Sequence, residues 1–437
     1  MIKTFLQKRK LLLVMTAALG FAGMESAGAE PASVDALVAQ GHAAMAAADY
    51  ELAVKSFSAA AEKGDGGALF VLGCLYRDGE VVSRDYAKAR EYFQRAAIQG
   101  VPDACNELGW MYAHGDGISQ DYGMALKYYQ LGADKGSASA MANIGVMYEY
   151  GTGVKRDYAK AMEYYQRAAK LDCAGAQNNI AFMYENGKGV PQDYAKAMEY
   201  YQLAAKQDYA EAHTNIGSMY HHGRGVRQDY GLAMDYYEYA AELGSIMALN
   251  NIGALYEDGL GVPQSYSEAA EYYRLAADKG NAEAQNNLAW LYRKGLGVPL
   301  DYGAALAYYQ RAAEQGIAVS QHSIARMYET GEGVAQDYGK AVEYYQLAAD
   351  QGYAASQNNL GYLFEIGAGV KQDYAKAREL YLLAANQGLV AAQYNLAVMY
   401  EDGTGVPRSK KKAILWYQKA ADQGNEDARE ALQRLKK

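Results

Sequence analysis

The pair Asp-Tyr returns along this chain in multiples of 36 residues, at Asp49, Asp85, Asp121, Asp157, Asp193, Asp229, Asp301, Asp337 and Asp373, and Ser265 and Ser409 fill the two vacant places. A period of this size restricts the fold to a stack of like units, each too small to bury its apolar face alone. The architecture follows from the register; the ligand does not.

One unit, Asn281 to Gly316, reads as two helices. Ala284, Leu288, Leu291 and Tyr292 recur on one face of a 3.6-residue helix, helix A. Gly295 is placed to end it in the left-handed conformation, and Gly297 lets the chain turn back without a Cβ clash. Asp301 then caps helix B, its carboxylate accepting the orphan N–H groups of the first turn at the positive end of the dipole. Tyr302, Ala305, Tyr308, Tyr309, Ala312 and Ala313 form the expected buried face of helix B, and Gly316 stops it. Small alanines between large tyrosines let helices approach while the rings fill the gaps.

Residues 1–29 are expected to be a secretory leader: Lys3, Lys8, Arg9 and Lys10 precede the apolar run Leu11 to Met24, and Ala27-Gly28-Ala29 supplies the small-residue cleavage site. That run is short for a membrane span, and no later stretch is apolar enough to cross a bilayer. The expectation is an exported chain, in the periplasm or the medium. Its formal net charge is −9 with the leader's cations included. An acidic chain is a poor match for nucleic acid or an anionic membrane surface, since both call for a basic footprint.

The full pattern is Ala-x-x-x-Leu-Gly-x-x-Tyr-x-x-Gly-x-Gly-Val-x-x-Asp-Tyr-x-x-Ala-x-x-Tyr-Tyr-x-x-Ala-Ala-x-x-Gly. It resembles the Sel-1-like repeat, a relative of the tetratricopeptide repeat, over ten units in residues 65–424. Residues 33–64 keep Asp49-Tyr50, Ala53 and Gly64 without the Gly-x-Gly-Val loop, and resemble a tetratricopeptide repeat used as an N-terminal cap. Residues 425–437 read as a polar C-terminal capping helix. The resemblance implies an all-α, right-handed α/α superhelical solenoid working as a protein-interaction scaffold. In bacteria, exported proteins of this kind are tied to envelope processes and host-cell contact. The sequence departs from the pattern in three ways. The usual Trp-Tyr of helix B is Tyr-Tyr almost throughout and survives only as Trp416-Tyr417, the first full loop reads Gly79-Glu80-Val81, and Asp172 and Asp208 replace helix-end glycines.

Most of the 42 tyrosines fall in three fixed phases of the unit, which assigns them to packing before ligand binding. The informative position lies in helix A, two residues before its terminal aromatic. It reads Cys74, Trp110, Val146, Phe182, Ser218, Ala254, Trp290, Arg326, Tyr362, Val398. In tetratricopeptide repeats the matching place lies on the concave face and contacts ligands. The resemblance therefore makes Trp110, Phe182, Trp290, Arg326 and Tyr362 candidates for a protein- or peptide-binding groove, and such side chains often anchor interfaces. Packing of Trp110 and Trp290 between units is the competing reading. Three residues earlier stand Asn143, Asn179, Asn215, Asn251, Asn287, Asn359 and Asn395. Their amides suit either a bound extended backbone, with Asn179, Asn287 and Asn359 as candidates, or bridges between neighbouring A helices. Past the terminal aromatic, Glu149, Glu185, Glu257, Glu329, Glu365 and Glu401 make an acidic row, read as solvated helix ends or as a surface for basic segments of a partner.

Catalytic chemistry finds little footing. The acids repeat from unit to unit, whereas glycoside hydrolysis needs two unlike carboxylates in one pocket. Cys74, Cys105 and Cys173 fall at different phases with no recurring histidine partner, and the first two are not expected to pair. Certain exported Sel-1-like proteins carry a cysteine pair in every repeat and have been credited with β-lactam chemistry; those pairs are lacking here. Adjacent His221 and His222 point about 100° apart on a helix and make a poor metal site. The expectation is a non-catalytic scaffold with no cofactor or metal, its partner a protein or peptide. An envelope hydrolase of β-lactamase type, or a cell-wall glycan-binding module using Trp110 and Trp290, are the alternatives.

Overall fold

The computed structural model describes residues 32–436, and the expected leader lies outside them. Every regular element among the described residues is a helix. The chain forms two compact units that divide between Gln228 and Asp229. The first begins with a helical hairpin, Val34–Ala46 and Tyr50–Glu62. Four A/B pairs follow: Gly66–Asp78 with Tyr86–Ile98, Pro102–His114 with Tyr122–Asp134, Ala138–Tyr150 with Tyr158–Ala169, and Ala174–Asn186 with Tyr194–Ala205. It ends on the A helix Ala210–His222. The second opens on the B helix Tyr230–Glu242. Five pairs follow: Ile246–Asp258 with Tyr266–Asp278, Ala282–Lys294 with Tyr302–Glu314, Ala318–Thr330 with Tyr338–Asp350, Ala354–Ile366 with Tyr374–Asn386, and Val390–Asp402 with Lys410–Asp422. Glu426–Lys436 closes it.

The punctuation residues act as their chemistry dictates. Asp301 Oδ1 accepts the Ala304 N–H at 2.9 Å, and Ser265, in a vacant Asp place, accepts that of Glu268 at 3.3 Å. Gly295 ends its A helix at φ +65°. Gly297, at φ +66°, has a second constraint: a Cβ there would stand 2.2 Å from the carbonyl carbon of Tyr266, the first B residue of the preceding unit. The loop glycine is thus a contact between units as well as a turn. Asp172 and Asp208 adopt the left-handed conformation expected of them, at φ +55° and +56°. Ala48 does so too, at φ +58°, a conformation that costs an L-residue roughly 1–2 kcal/mol.

The core refines the expectation for helix B. Of the Tyr308-Tyr309 pair only Tyr309 is buried. Tyr308 lies against Tyr292 of helix A, ring centroids 6.0 Å apart and planes 7° from parallel, with the Arg311 guanidinium 5.6 Å from its centroid. The same stack recurs at Tyr148–Tyr164 and Tyr328–Tyr344, where Lys160 and Lys340 cover the helix A ring. The second ring of each pair fills the space beside a small residue of helix A. A Cβ on Gly253 would come within 2.7 Å of the Tyr273 ring, which is why that place holds only glycine or alanine. In the N-terminal hairpin Phe57 takes the buried place and presses on Gly41.

Candidate functional site on the A-helix face

Six asparagines of the ladder find partners within the chain. Asn143 donates to Asn106 at 2.8 Å, Asn215 to Asn178 at 2.9 Å, Asn287 to Asn250 at 3.3 Å and Asn395 to Asn358 at 3.1 Å, each bond reaching the preceding A helix. Asn359 instead donates to the Tyr345 hydroxyl at 3.0 Å, and Asn179 bonds with that of Tyr165. These bonds tie neighbouring A helices together and to the B layer, the bridging use of the amides.

The acidic row is not one of freely solvated helix ends, because each carboxylate accepts a hydroxyl from within the chain. Glu149 and Glu185 are buried. Glu149 accepts the hydroxyl of Tyr165 at 2.8 Å and Glu185 that of Tyr201 at 2.6 Å. Glu257, Glu365 and Glu401 do the same for Tyr273, Tyr381 and Tyr417. The tyrosine lies sixteen residues after the glutamate, on the B helix of the same unit. Burial and the adjacent carboxylate push these phenols far above the ordinary tyrosine range, so they stay protonated and donate to the glutamates.

At some junctions the second carboxylate oxygen receives a cation from the Gly-x-Gly loop of the next unit. Lys188 lies 3.4 Å from Glu149 Oε1 with its ammonium 4.5 Å from the Phe182 ring centroid. Arg224 pairs with Glu185 at 2.9 Å and bonds the Ser218 hydroxyl at 2.6 Å. Further along the signs reverse: Arg293 stands in the glutamate place and pairs with Glu332 of the next loop, again thirty-nine residues on. Phe182, Ser218 and Arg326 all occupy the variable A-helix position, so that position, the glutamate place and the loop residue form one three-part junction.

The candidate residues divide accordingly. Trp110 is half-buried and stacks on His114, centroids 4.1 Å apart. Phe182 lies beneath Lys188. Arg326 is exposed, and Tyr362 is 47% exposed. Trp290 and Asn287 come together in a pocket of about 200 Å3, with Glu257, Asn286, Tyr309, Val319 and Ser323.

Ten consecutive segments from 67–101 to 390–425 match the family model of the Sel1 repeat, and together they span most of the chain. The chain belongs to the Sel1 repeat family. It is 32% identical, with a TM-score of 0.58, to a protective antigen of uropathogenic Escherichia coli displaying an SLR fold, over 100% of this chain and 90% of that one. It is 31% identical, with a TM-score of 0.53, to a Sel1 repeat protein from Oxalobacter formigenes, over 71% of this chain and 90% of that one. No curated protein matches the sequence. The fold is thus an all-α solenoid of Sel1 repeats, a scaffold architecture typical of protein–protein interaction.

Within these Sel1 repeats the three cysteines are unpaired, and burial pushes the Cys74 thiol up to about 11. The His221 and His222 rings stack on one another at 4.5 Å, and the His222 Nδ1 lies 2.9 Å from the Ser218 carbonyl oxygen. Sequence reasoning missed the loop residue. Its signal was present as opposite charges thirty-nine residues apart, at Glu149/Lys188, Glu185/Arg224 and Arg293/Glu332.

Proposed function

We propose that this Sel1 repeat protein is an exported, non-catalytic scaffold that binds a protein or peptide along its A-helix face, the face that its resemblance to tetratricopeptide repeats makes concave. The observation that carries the reading is the pocket at Trp290. On an otherwise self-satisfied face, it offers a half-exposed indole, amides and a carboxylate in one depression. Tyr362 and Arg326 add exposed anchors on the two A helices that follow. Large aromatics and arginine supply a disproportionate share of interface energy. The net charge of −9 suits a partner with basic segments better than nucleic acid. Export rests on the leader pattern in residues 1–29, and it suits kinship with a protein described as a protective antigen.

A cross-linked pull-down from intact envelope tests the binding reading, with the wild type beside the folded triple variant Trp110→Ala, Trp290→Ala, Tyr362→Ala. A defined partner lost in the variant supports it; the same partners recovered by both proteins move the binding surface off the A helices. The N-terminal residue of the exported form tests the leader, and a start far from Glu30 rejects it.

A further inference from the structure

The three-part junction repeats along the chain, but its charge balance does not. At Glu149 the Oε2 atom accepts the Tyr165 hydroxyl and Oε1 receives the ammonium of Lys188, which is seated over the Phe182 ring. Three repeats later the same places hold Glu257, Trp290 and, in the loop, Leu296. Glu257 Oε2 accepts the Tyr273 hydroxyl at 2.6 Å, as its counterpart does. Among the described residues no lysine or arginine reaches Glu257, because the loop side chain is an uncharged leucine. The 200 Å3 pocket opens here, with this carboxylate and the indole in its lining. Burial without a compensating cation raises the Glu257 carboxyl above the ordinary glutamate range. A cation seated there favours the ionised form.

We propose that the pocket between Glu257 and Trp290 takes a lysine side chain of the scaffold's protein partner, its ammonium filling the place that Lys188 fills at Glu149 and Phe182. The proposal rests on the scaffold reading and names the chemistry that one site on it selects. The junctions themselves distinguish lysine from arginine. Where the variable position is aromatic, at Phe182, the loop cation is lysine; where it is the small Ser218, the cation is arginine, which uses the freed space to bond the hydroxyl. Trp290 continues the aromatic case with the ring whose face attracts cations best. The methylene stem of a lysine would lie along the indole and the Val319 side chain while its head meets the carboxylate.

The test uses the full chain labelled with 5-fluorotryptophan, whose three indoles report separately by fluorine NMR, with Trp290 assigned through Trp290→Phe. Titration with the capped tripeptide acetyl-Gly-Lys-Gly amide should shift the Trp290 resonance saturably. The tripeptide acetylated on its lysine should leave it in place. Glu257→Gln, which keeps the volume, should weaken the effect about tenfold, the size of a partly desolvated cation contact. Leu296→Lys should abolish it by supplying the ammonium from within, as Lys188 does. Unchanged Trp110 and Trp416 resonances establish that each variant is folded. A Trp290 resonance indifferent to the lysine tripeptide overturns the proposal. So does one that moves equally with the acetylated form or in Glu257→Gln, or one that responds more strongly to the arginine tripeptide. The pull-down separates the two levels of the argument. A partner lost in the triple variant but retained by Leu296→Lys rejects the lysine pocket and leaves the scaffold standing. Partners recovered equally by wild type and triple variant reject the scaffold reading itself.

Discussion

Tyr165 and Tyr129 occupy the same buried place in successive repeats and differ in what their hydroxyls meet. Tyr165 donates to the buried Glu149, whereas the matching helix-end residue before Tyr129 is Ala113. Tyr165→Phe should therefore cost about 1.5–3 kcal/mol, the worth of a hydrogen bond to a charged acceptor, and Tyr129→Phe less than about 1 kcal/mol. Urea unfolding midpoints compare the two, and equal losses would show that the carboxylate adds nothing. His322 gives a pH-dependent case. It replaces the asparagine found at Asn286 and Asn358, lies between Tyr345 and Tyr353, and has its Nδ1 2.9 Å from the Ser356 hydroxyl. Burial first, then the charges of Arg326 and Arg293, depress it from 6.5 to about 4. The unfolded chain thus binds the proton more readily, and stability falls as pH drops from 6.5 to about 4. The full loss is about 3 kcal/mol. His322→Asn should remove that slope, while the Arg293–Glu332 pair, whose carboxyl is held below its ordinary value of 4.5, contributes undiminished above that value and is lost as pH falls below it. At this scale the sequence was half legible. It showed that Glu149 and its copies recur, but a period cannot say that a tyrosine sixteen residues on returns to the same point in space.

Helix ends were read from sequence with few errors, because each cap is a local device whose donor and acceptor lie within three residues. What the sequence left open was which glycines answer to their own turn and which to a neighbour. Gly316 and Gly297 both lie at positive φ, +89° and +66°, yet a Cβ on Gly316 meets nothing within 4 Å while one on Gly297 collides with the Tyr266 backbone at 2.2 Å. Gly316→Ala should cost about 1–2 kcal/mol of left-handed strain. Gly297→Ala has to displace the start of the preceding B helix and should cost at least twice as much. Hydrogen exchange would show the loosening in Tyr266–Asp278 as well as in the mutated loop. Similar denaturation midpoints for the two variants would contradict the contact between units. The first full loop, where Val81 replaces the second glycine, belongs to the same logic. No positive φ is found at Val81, and its side chain packs against the N-terminal core instead. The spacing Gly-x-Gly was visible in the sequence, but its target, a residue of the previous repeat, became visible only in three dimensions.

The number of repeats, their order and their helical class were legible because a 36-residue register leaves one architecture open. Which surfaces are satisfied within the chain and which are left for a partner was not legible, since that depends on charge matching across junctions. The same nearest-neighbour logic governs stability. In a repeat array each unit draws support only from the units it touches, so damage at an end should stay near that end. The C-terminal helix Glu426–Lys436 buries Ala428, Ala431 and Leu432 against Trp416 and Tyr417, and its Arg434 pairs with Glu401 at 2.6 Å. Removing residues 425–437 strips that cover, worth ~2 kcal/mol for the leucine alone, and leaves Glu401 with only the Tyr417 hydroxyl. Hydrogen exchange should then quicken in Lys410–Asp422 and, to a smaller degree, in Val390–Asp402, with Tyr266–Asp278 unchanged. A loss of protection spread evenly from residue 229 onward would mean instead that this unit unfolds as a single cooperative body, and that the cap supports every repeat in it.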